Sequence, residues 1–563
     1  KPFEPRDCPV SHSTASMFVL LEGAVRQCIW LGLLLWCCAG PVLSQRTHPC
    51  RFCPAEPEWA EPEPARRLLE GPSKIVIDLG SPRQTLQAWG TSLCWWANGV
   101  GQWTNKTRLG ELLGLVFSDF SAESLHQSIR SGAPLPESLG LTQARYNIGG
   151  GEDPKYKHFM RDGGAVEGYQ AADGSWDWQA DASQRAVLAG ALQRGLRIVH
   201  AFSNSPPAWM TKSGSATGAK GGSSNLKDES YDAFALYLAT VVKRFATDPA
   251  LLGGRTLVFD AVTPINEPSA SWWKFGNNQE GCHFSPQQQS AILAKLAEQL
   301  RGQGVSHTPV SGAEENWVDG TVESVKAYSD EVVGVMPLVT THTYGASDGM
   351  RAALAKWAKV HGKALWNSEF GTGSGPLQGG IQLAHTIAMD LAHLNCTVWT
   401  LWQVADLDNT LGPSGWGGIA ATYQHRLEDF KIRKQYYSYK QFSAFIRPGS
   451  TVLSVTSQSS DVSAVAALLP IQRRDGAEAV LVLVAANNAT AAVQVPVSFA
   501  GAQETPSVTK MSAYLTDETH DCAPVLPPAH EGDEIALVLP QRSIMTLVID
   551  LARGVAAQTP RFV

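Results

Sequence analysis

The chain has no excess of basic charge and no apolar run long enough to span a bilayer comfortably. Its 563 residues include 45 Lys and Arg against 52 Asp and Glu, which gives a formal net charge of −7. A protein that binds nucleic acid or an anionic lipid surface needs a concentration of positive charge. The apolar run at 28–38 is only 11 residues long, whereas a membrane-spanning helix needs about 20. We therefore expect neither a nucleic-acid partner nor stable membrane insertion.

The sequence also lacks the patterns of a zinc site or a nucleotide-binding loop. Cys50 and Cys53 form a CxxC pair, but no second CxxC and no nearby pair of histidines accompanies them, and a structural zinc ion needs four ligands. The triple glycine at 149–151 lacks the strand–GxGxxG–helix context of a dinucleotide site. We interpret it as a turn.

The N-terminal segment has the layout of a secretory signal. Residues 1–16 show no folding pattern; further on, Arg26 precedes the apolar run at 28–38, and small residues follow at Val42 and Ser44. A basic flank, a short apolar core and small residues before a cleavage site define such signals. The pattern predicts a leader over 1–44, with a signal peptide at 17–44 cleaved near Gln45. We expect a secreted, extracellular protein, with a cell wall or a lysosome-like compartment and an uncleaved anchor as alternatives.

Secretion would allow disulfide bonds and glycosylation. The cysteines that follow the predicted leader are Cys50, Cys53, Cys94, Cys282, Cys396 and Cys522. Six cysteines allow 15 pairings, among which the sequence does not choose. Sequons at Asn105, Asn395 and Asn488 are compatible with glycosylation.

The composition is that of a globular protein with more than one domain. Hydrophobic residues make up 44% of the chain and charged residues 17%, which argues against disorder. Single cores rarely grow beyond about 250–300 residues, so this chain has room for a second domain. A strip rich in Pro, Glu and Ala within 45–73 predicts a flexible linker ahead of the fold.

Apolar runs alternate with helical patterns through the middle of the chain. The eight runs are 86–91, 144–148, 197–202, 257–265, 308–313, 337–342, 364–367 and 397–402. Between them, segments such as 186–194, 231–246 and 287–301 have apolar residues at the i, i+3, i+4 spacing of helices. Such alternation is typical of parallel βα units. Eight units close a barrel, so we predict an α/β fold with a (β/α)8 TIM barrel over 86–445.

The C-terminal part of the chain has a different pattern. Beyond residue 450 the helical period disappears, and short alternating or β-branched runs occur at 462–469, 479–485, 492–497, 511–515 and 535–539. These runs predict an all-β sandwich over 446–552, followed by a tail at 553–563. The apolar run within 74–85 has no partner in the barrel, and we expect its strand to join this β-domain.

Two glutamates follow apolar strands of the predicted barrel. Glu267 lies in PINEP and Glu369 in WNSEFG, 102 residues apart, and the C-terminal ends of barrel strands carry catalytic groups. A retaining glycosidase needs one carboxylate to attack the anomeric carbon and a second carboxyl group to protonate the leaving oxygen. We expect Asn266 to bond a sugar hydroxyl and Tyr344 to hold Glu369 ionised. The two carboxyl carbons should lie about 5–5.5 Å apart.

Six motifs in order resemble glycoside hydrolase family 30. They are LQAWGTS at 86–92, ARYNIGGG at 144–151, FSNSPPAWM at 202–210, INEPS at 265–269, HTYG at 342–345 and WNSEFG at 366–371. The resemblance covers roughly residues 74–551 and implies a barrel with catalytic glutamates on strands 4 and 7, Glu267 as acid/base and Glu369 as nucleophile. It implies no cofactor and no metal. It also implies a sugar-binding subsite formed by Arg145, Asn147, Asn204, Trp209, Asn266, His342, Tyr344 and Trp402.

Within that family, SNSPPAWM and the GGGED turn most resemble the endo-β-1,6-galactanase group, which acts on the galactan side chains of arabinogalactan. The partner we expect is therefore a polysaccharide or glycoconjugate substrate, with the protein acting as a monomer. The same chemistry on glucosylceramide, β-1,6-glucan or xylan is the main alternative. An inactive glycan-binding protein and a non-catalytic wall protein are others, against which the two intact glutamates argue.

Overall fold

The computed structural model describes residues 74–552 apart from 424–426, 458, 472–477, 503 and 505. The predicted leader, linker and tail, together with Cys50 and Cys53, lie outside these residues. Among the described residues, no helix is both long and apolar enough to cross a membrane. The four cysteines of this part, Cys94, Cys282, Cys396 and Cys522, are buried and form no disulfide with one another.

An eight-stranded parallel sheet forms the predicted barrel. The first strand of the chain, β1 (Ile75–Thr85), belongs to another sheet. The barrel strands are β2 (Ala88–Ser92), β3 (Gln143–Asn147), β4 (Ile198–Phe202), β5 (Ala261–Thr263), β6 (Ser311–Ala313), β7 (Leu338–His342), β8 (Ala364–Phe370) and β9 (Val398–Leu401). Their order is β5-β4-β3-β2-β9-β8-β7-β6, and a parallel bridge between Val262 and Val310 closes the ring. Each predicted apolar run overlaps one strand, so the barrel is confirmed.

Helices surround the barrel. They are α1 (Trp96–Val100), α2 (Lys106–Phe117), α3 (Ala122–Ser131), α4 (Ala182–Leu192), α5 (Tyr231–Thr247), α6 (Pro286–Gly302), α7 (Val318–Ala327), α8 (Asp330–Val335), α9 (Asp348–His361), α10 (Pro376–Met389) and α11 (Lys434–Ser443). Helix α6 shows why the sequence forms them: Ser285 and Gln288 make a reciprocal capping box, with Pro286 in the first turn. Its buried residues, Ile292, Leu293, Leu296 and Leu300, are spaced to face the barrel.

A small three-stranded sheet follows the last barrel strand. It consists of β10 (Ala405–Leu407), β11 (Ile419–Ala421) and β12 (Phe430–Ile432). The sequence patterns do not predict it, because each strand has only three residues, too few to show a period. This small sheet places the segment between β10 and β11 at the rim of the barrel.

The C-terminal domain is all β. Its strands are β13 (Thr451–Ser457), β14 (Val462–Leu468), β15 (Glu478–Asn487), β16 (Val493–Ala500), β17 (Ser507–Thr516), β18 (Asp521–Val525), β19 (His530–Glu531), β20 (Glu534–Leu539) and β21 (Ser543–Ala552). Strand β1 lies in the same ten-stranded sheet, antiparallel to β13 and parallel to β16. Strand β1 therefore joins the start of the described chain to the C-terminal domain.

The sheet curls into two layers, and one of them covers the barrel. In β15, Leu481 and Leu483 share an apolar cluster with Leu537 of β20, although the two strands are far apart in the sheet order. The alternate residues Val482 and Val484 belong to the cluster of the barrel. Because successive side chains of a strand point to opposite faces, β15 contributes to both cores. The expected sandwich-like side domain is confirmed and fixed to the barrel.

Candidate active site

Two buried glutamates lie together at the C-terminal end of the barrel. Glu267 follows β5 and Glu369 lies near the end of β8, and they are 6% and 4% exposed. Both line one cavity of about 760 Å³. A carboxylate oxygen of each lies within 4.8 Å of the other and of a ring nitrogen of His342. The two strand ends therefore converge on one pocket.

Glu369 accepts hydrogen bonds on both carboxylate oxygens. Arg145 Nη1 donates to Oε2 at 2.5 Å, and the Tyr344 hydroxyl donates to Oε1 at 3.1 Å. Burial raises the pKa of Glu369, while the positive charges of His342 and Arg145 act against that rise. Since both partners donate, they stabilise the ionised form of the carboxyl group.

Glu267 has a different environment. Its backbone is in the left-handed region, with φ of 45°, which is uncommon for a residue with a side chain. The backbone N–H donates to the Glu314 carbonyl at 2.8 Å. Asn316 Nδ2 at 2.6 Å and His342 Nδ1 at 3.2 Å both reach Oε1. These contacts hold the side chain in place and leave Oε2 available for a proton.

His342 links the carboxyl groups of the site. Its Nδ1 lies 3.2 Å from Glu267 Oε1 and 3.6 Å from Glu369 Oε1, and its Nε2 lies 3.3 Å from Glu314 Oε2. Burial alone would lower the pKa of His342, but the surrounding glutamates raise it to about 9. His342 is therefore a cation near neutral pH, so both ring nitrogens donate.

Glu314 is a third buried carboxylate, below the other two. It forms an ion pair with Arg145 and accepts a hydrogen bond from His342 Nε2. Burial would raise its pKa, but the charges of Arg145, His342 and His200 hold the pKa well below its usual value. A permanent negative charge here balances the two cations that contact Glu369 and Glu267.

Two polar residues of the site, Glu314 and Asn316, were not predicted from the sequence. Both come directly after β6, within the polar segment that follows the predicted strand 308–313. The sequence did contain a signal for them. Two glutamates and an asparagine follow this strand in a row, just as functional groups follow the other strands.

The spacing of Glu267, His342 and Glu369 would also suit a metal ion. Glu267 Oε1 already accepts a hydrogen bond from Asn316, and Glu369 Oε1 accepts one from Tyr344. The residues present therefore fit proton transfer better than metal binding.

Five further residues of the predicted subsite are in or beside the cavity. Asn266 and Tyr344 line it, as does Trp402, whose ring meets Trp95 edge to face at a centroid distance of 5.0 Å. Arg145 is fully buried and binds Asn266 Oδ1 as well as Glu369. His342 contacts both glutamates from below. The structure thus brings these residues together with the glutamates.

Like Arg145 and His342, the remaining three residues of the predicted subsite do not line the cavity: Asn147, Asn204 and Trp209. Unlike Arg145 and His342, they form no hydrogen bond with either glutamate among the described residues. The amide of Asn147 donates to Glu280 at 3.3 Å, and that of Asn204 contacts the sulfur of Cys94 at 3.8 Å. The indole N–H of Trp209 donates to the backbone carbonyl of Gln170 at 3.0 Å. One polar group of each side chain therefore contacts a neighbouring residue, while Asn147 Oδ1 is buried without a hydrogen-bond partner among the described residues.

Loops supply a wall that strand patterns do not reveal. The cavity residues outside the prediction are Trp95, Arg161, Asp162, Trp272, Asn278, Gln279, Asn316, Gln403, Asp406, Leu407 and Trp416. Arg161 lies over the ring of Trp95 at 4.5 Å and donates to Asn278 at 2.8 Å. Polar and aromatic groups are thus interleaved, as in sites that bind a polyhydroxylated ligand.

Two buried carboxyl groups predict that stability falls as the pH rises from about 4.5 to about 8. Burial raises the pKa of Asp181 from 3.8 to about 7 and that of Glu280 from 4.5 to about 8. Each contributes stability that is complete below its unfolded pKa and lost as the pH rises through the folded value. Burial lowers the pKa of His200 to about 4, so its contribution is lost as the pH falls through that value. Because the two carboxyl contributions outweigh that of His200, we expect the Tm to fall as the pH rises from about 4.5 to about 8.

Thermal unfolding measured from pH 3 to pH 9 tests this expectation. Glu280→Gln should flatten the decline between pH 6 and pH 9, because glutamine does not ionise. A Tm that stays level or rises between pH 6 and pH 9 in the unsubstituted protein would contradict the assignment.

A closed βα barrel with two glutamates meeting over a cavity at the strand ends is the arrangement of a glycoside hydrolase. The chain belongs to O-glycosyl hydrolase family 30, whose model matches residues 72–409.

Two relatives agree with this assignment, and a solved structure shares the fold. The chain is 29% identical to an endo-beta-1,6-galactanase of Hypocrea rufa over 394 residues, which cover 68% of this chain and 76% of that protein. It is 26% identical to an exo-beta-1,6-galactobiohydrolase of Bifidobacterium longum subsp. longum over 441 residues, 60% of this chain and 28% of that protein. The catalytic domain of the family 30 xylanase C from Talaromyces cellulolyticus superposes with a TM-score of 0.59 at 19% identity, covering 84% of this chain and 99% of that one. This last likeness concerns the fold alone.

Proposed function

We propose that the protein is a retaining endo-β-1,6-galactanase. The observation that carries the reaction type is the approach of Glu267 and Glu369, whose carboxylate oxygens come within 4.8 Å of one another. Retaining enzymes hold their two carboxyl groups about 5–5.5 Å apart, whereas inverting enzymes need about 6.5–9.5 Å to admit a water molecule. An oxygen of one carboxyl group within 4.8 Å of an oxygen of the other is compatible with the retaining separation and with direct attack by one of the glutamates.

Glu369 is the nucleophile in this proposal. Its two oxygens accept from Arg145 and Tyr344, which favours the carboxylate that attacks the anomeric carbon. The attack expels the leaving oxygen and forms a covalent glycosyl-enzyme. Asn266, which is oriented by Arg145, lies at the cavity surface, where it can bond a hydroxyl beside the reacting carbon. Such bonds strengthen as positive charge develops.

Glu267 is the acid and then the base. It protonates the leaving oxygen in the first step and removes a proton from the attacking water in the second. Asn316 and the cationic His342 hold its Oε1, so the proton exchanges at Oε2. Glu314 and Arg145 are positioning residues here, because they act through His342 and Glu369.

The proposed substrate rests on the relatives. The names of the fungal and the bacterial relative both specify a β-1,6-linked galactose polymer or its fragments. The fungal relative is the more similar of the two, at 29% against 26% identity and over 68% against 60% of this chain, so internal cleavage is proposed rather than release of terminal disaccharides.

A substrate panel tests the proposal. The protein is incubated with β-1,6-galactan, β-1,6-glucan, xylan and glucosylceramide, and the products are sized at early times. We expect cleavage of β-1,6-galactan with products of many lengths, and Glu369→Gln serves as the control for contaminating glycosidases. Galactobiose as the sole early product would show exo action, and turnover of another polymer with no turnover of galactan would refute the substrate.

A further inference from the structure

Trp272 and Trp416 stand out because they are exposed and line the same cavity. They are the two exposed tryptophans of the described chain, at 40% and 45%. A large flat aromatic ring left open to solvent inside a cavity offers a surface on which the apolar face of a sugar can stack.

The two rings are carried by segments that follow strands on opposite sides of the barrel. Trp272 belongs to the loop that follows β5, and Trp416 to the excursion that follows β9. In the order β5-β4-β3-β2-β9-β8-β7-β6, closed between β6 and β5, these two strands are four positions apart. Four positions in a ring of eight is the opposite side of the barrel. A sugar chain that crosses the pocket can therefore meet both rings.

Trp272 lies on the wall of Glu267. Its ring meets those of Trp273 and Trp317 edge to face, at centroid distances of 5.8 Å and 6.5 Å. The Trp273 indole N–H donates to the Glu267 carbonyl at 2.7 Å, and Trp317 follows directly after Asn316, which binds the Glu267 side chain. Trp272 is thus supported by the same elements that position the proposed acid.

Trp416 lies on the other wall, against the loop that follows Glu369. Its ring packs on Gly371 and Gly373, where an added Cβ would come within 3.4 Å and 2.7 Å of it. Its backbone N–H donates to Asp406 Oδ2 at 3.1 Å. Gly371 also borders Trp402 on the cavity floor. Because these glycines have no side chain, they leave room for the Trp416 ring. The ring therefore packs beside the strand end that carries the proposed nucleophile.

We infer that Trp272 and Trp416 are sugar-binding platforms on either side of the bond that is cleaved. The acid protonates the leaving oxygen, so the leaving sugar lies on the Glu267 wall and stacks on Trp272. The sugar beyond the one that reacts lies on the opposite wall and stacks on Trp416. This inference rests on the proposed retaining function and adds the direction in which the substrate lies across the barrel.

Three substrates separate the two platforms. β-1,6-Galactotetraose occupies both walls, β-1,6-galactobiosyl fluoride places no sugar on the leaving-group wall, and β-galactosyl fluoride fills only the reacting position. Trp272→Ala should lower kcat/KM for the tetraose about 10- to 100-fold and leave the galactobiosyl fluoride near the unsubstituted value. Trp416→Ala should lower kcat/KM similarly for the tetraose and the galactobiosyl fluoride, with the galactosyl fluoride unchanged.

Trp357→Ala is the matched control, because Trp357 stacks on His361 of helix α9, away from the cavity. All three substrates should be turned over normally by this variant. Equal losses on all substrates in either cavity variant, or losses no greater than those of Trp357→Ala, would overturn the platforms. If each variant showed the pattern expected of the other, the sugar chain would lie across the barrel in the opposite direction. An unsubstituted protein that cleaves none of the three would instead refute the proposed function, and the platforms with it.

Discussion

Glu369→Ala is expected to abolish glycosidic cleavage, lowering kcat by about 10⁴-fold or more, because no glycosyl-enzyme can form. When the substrate is an activated aryl β-glycoside, azide should partly take the place of the missing carboxylate. It would enter from the side that Glu369 vacates and attack directly, so the product should be the α-glycosyl azide. Product stereochemistry by NMR is the measurement.

Loss of this charge also affects the buried cations, so folding needs its own control. Arg145 would retain Glu314 as its ion-pair partner, but removing one member of a buried charge cluster costs stability. Glu369→Gln preserves the shape of the side chain and should show the same loss of turnover with a smaller change in Tm. Glu298→Ala, at an exposed position of helix α6, should leave both kcat and Tm unchanged. Turnover near normal in Glu369→Gln would remove this residue from the mechanism.

The barrel could be predicted because its strands are buried on both faces. Such strands appear as short continuous apolar runs separated by helical patterns, and all eight were found. The strand boundaries were predicted less accurately. The run 257–265 predicted a longer strand than the observed Ala261–Thr263, because apolar loop residues beside a strand cannot be told from strand residues in the sequence. Strand β21, Ser543–Ala552, is buried almost throughout, so apolar residues lie on both of its faces and the strand shows no alternation to recognise.

The site was predictable where a strand end fixes the position of a side chain. Glu267 and Glu369 follow apolar strands and converge, and Asn266, Tyr344 and Trp402 line the same cavity. Position after a strand does not fix the direction of a side chain, however. Asn204 and Trp209 follow β4, yet their polar groups bind Cys94 and the Gln170 carbonyl, because loops from distant parts of the chain supply partners that local sequence does not show.

The features missed from sequence depend on contacts across the barrel. Glu314 has a role only because Arg145 and His342, from two other strands, contact it in the folded chain. Trp272 and Trp416 lie in loops, where no periodicity indicates exposure. What makes them candidates is their common cavity and their opposite positions in the ring of strands, which are properties of the closed barrel.

Glu267→Ala is expected to have an effect that depends on the leaving group. With galactan, whose leaving sugar needs a proton, kcat/KM should fall by roughly 10³–10⁴-fold. With a dinitrophenyl β-glycoside, which departs without protonation, the first step should proceed and the glycosyl-enzyme should accumulate, because no base activates water for the second. A burst of dinitrophenol followed by slow turnover, recorded by stopped-flow absorbance, is the expected result.

Azide should restore turnover of the dinitrophenyl glycoside in Glu267→Ala by attacking the glycosyl-enzyme formed on Glu369. Two inversions at the anomeric carbon then give the β-glycosyl azide, opposite to the product expected from Glu369→Ala. Asn316→Ala is an informative companion, because it removes the amide that binds Glu267 Oε1 and leaves the carboxyl group. Turnover by this variant should not respond to azide, because the carboxyl group that acts as the base is still present. An α-azide from Glu267→Ala would mean that the two glutamates have exchanged roles, since only the nucleophile leaves that face open when it is removed.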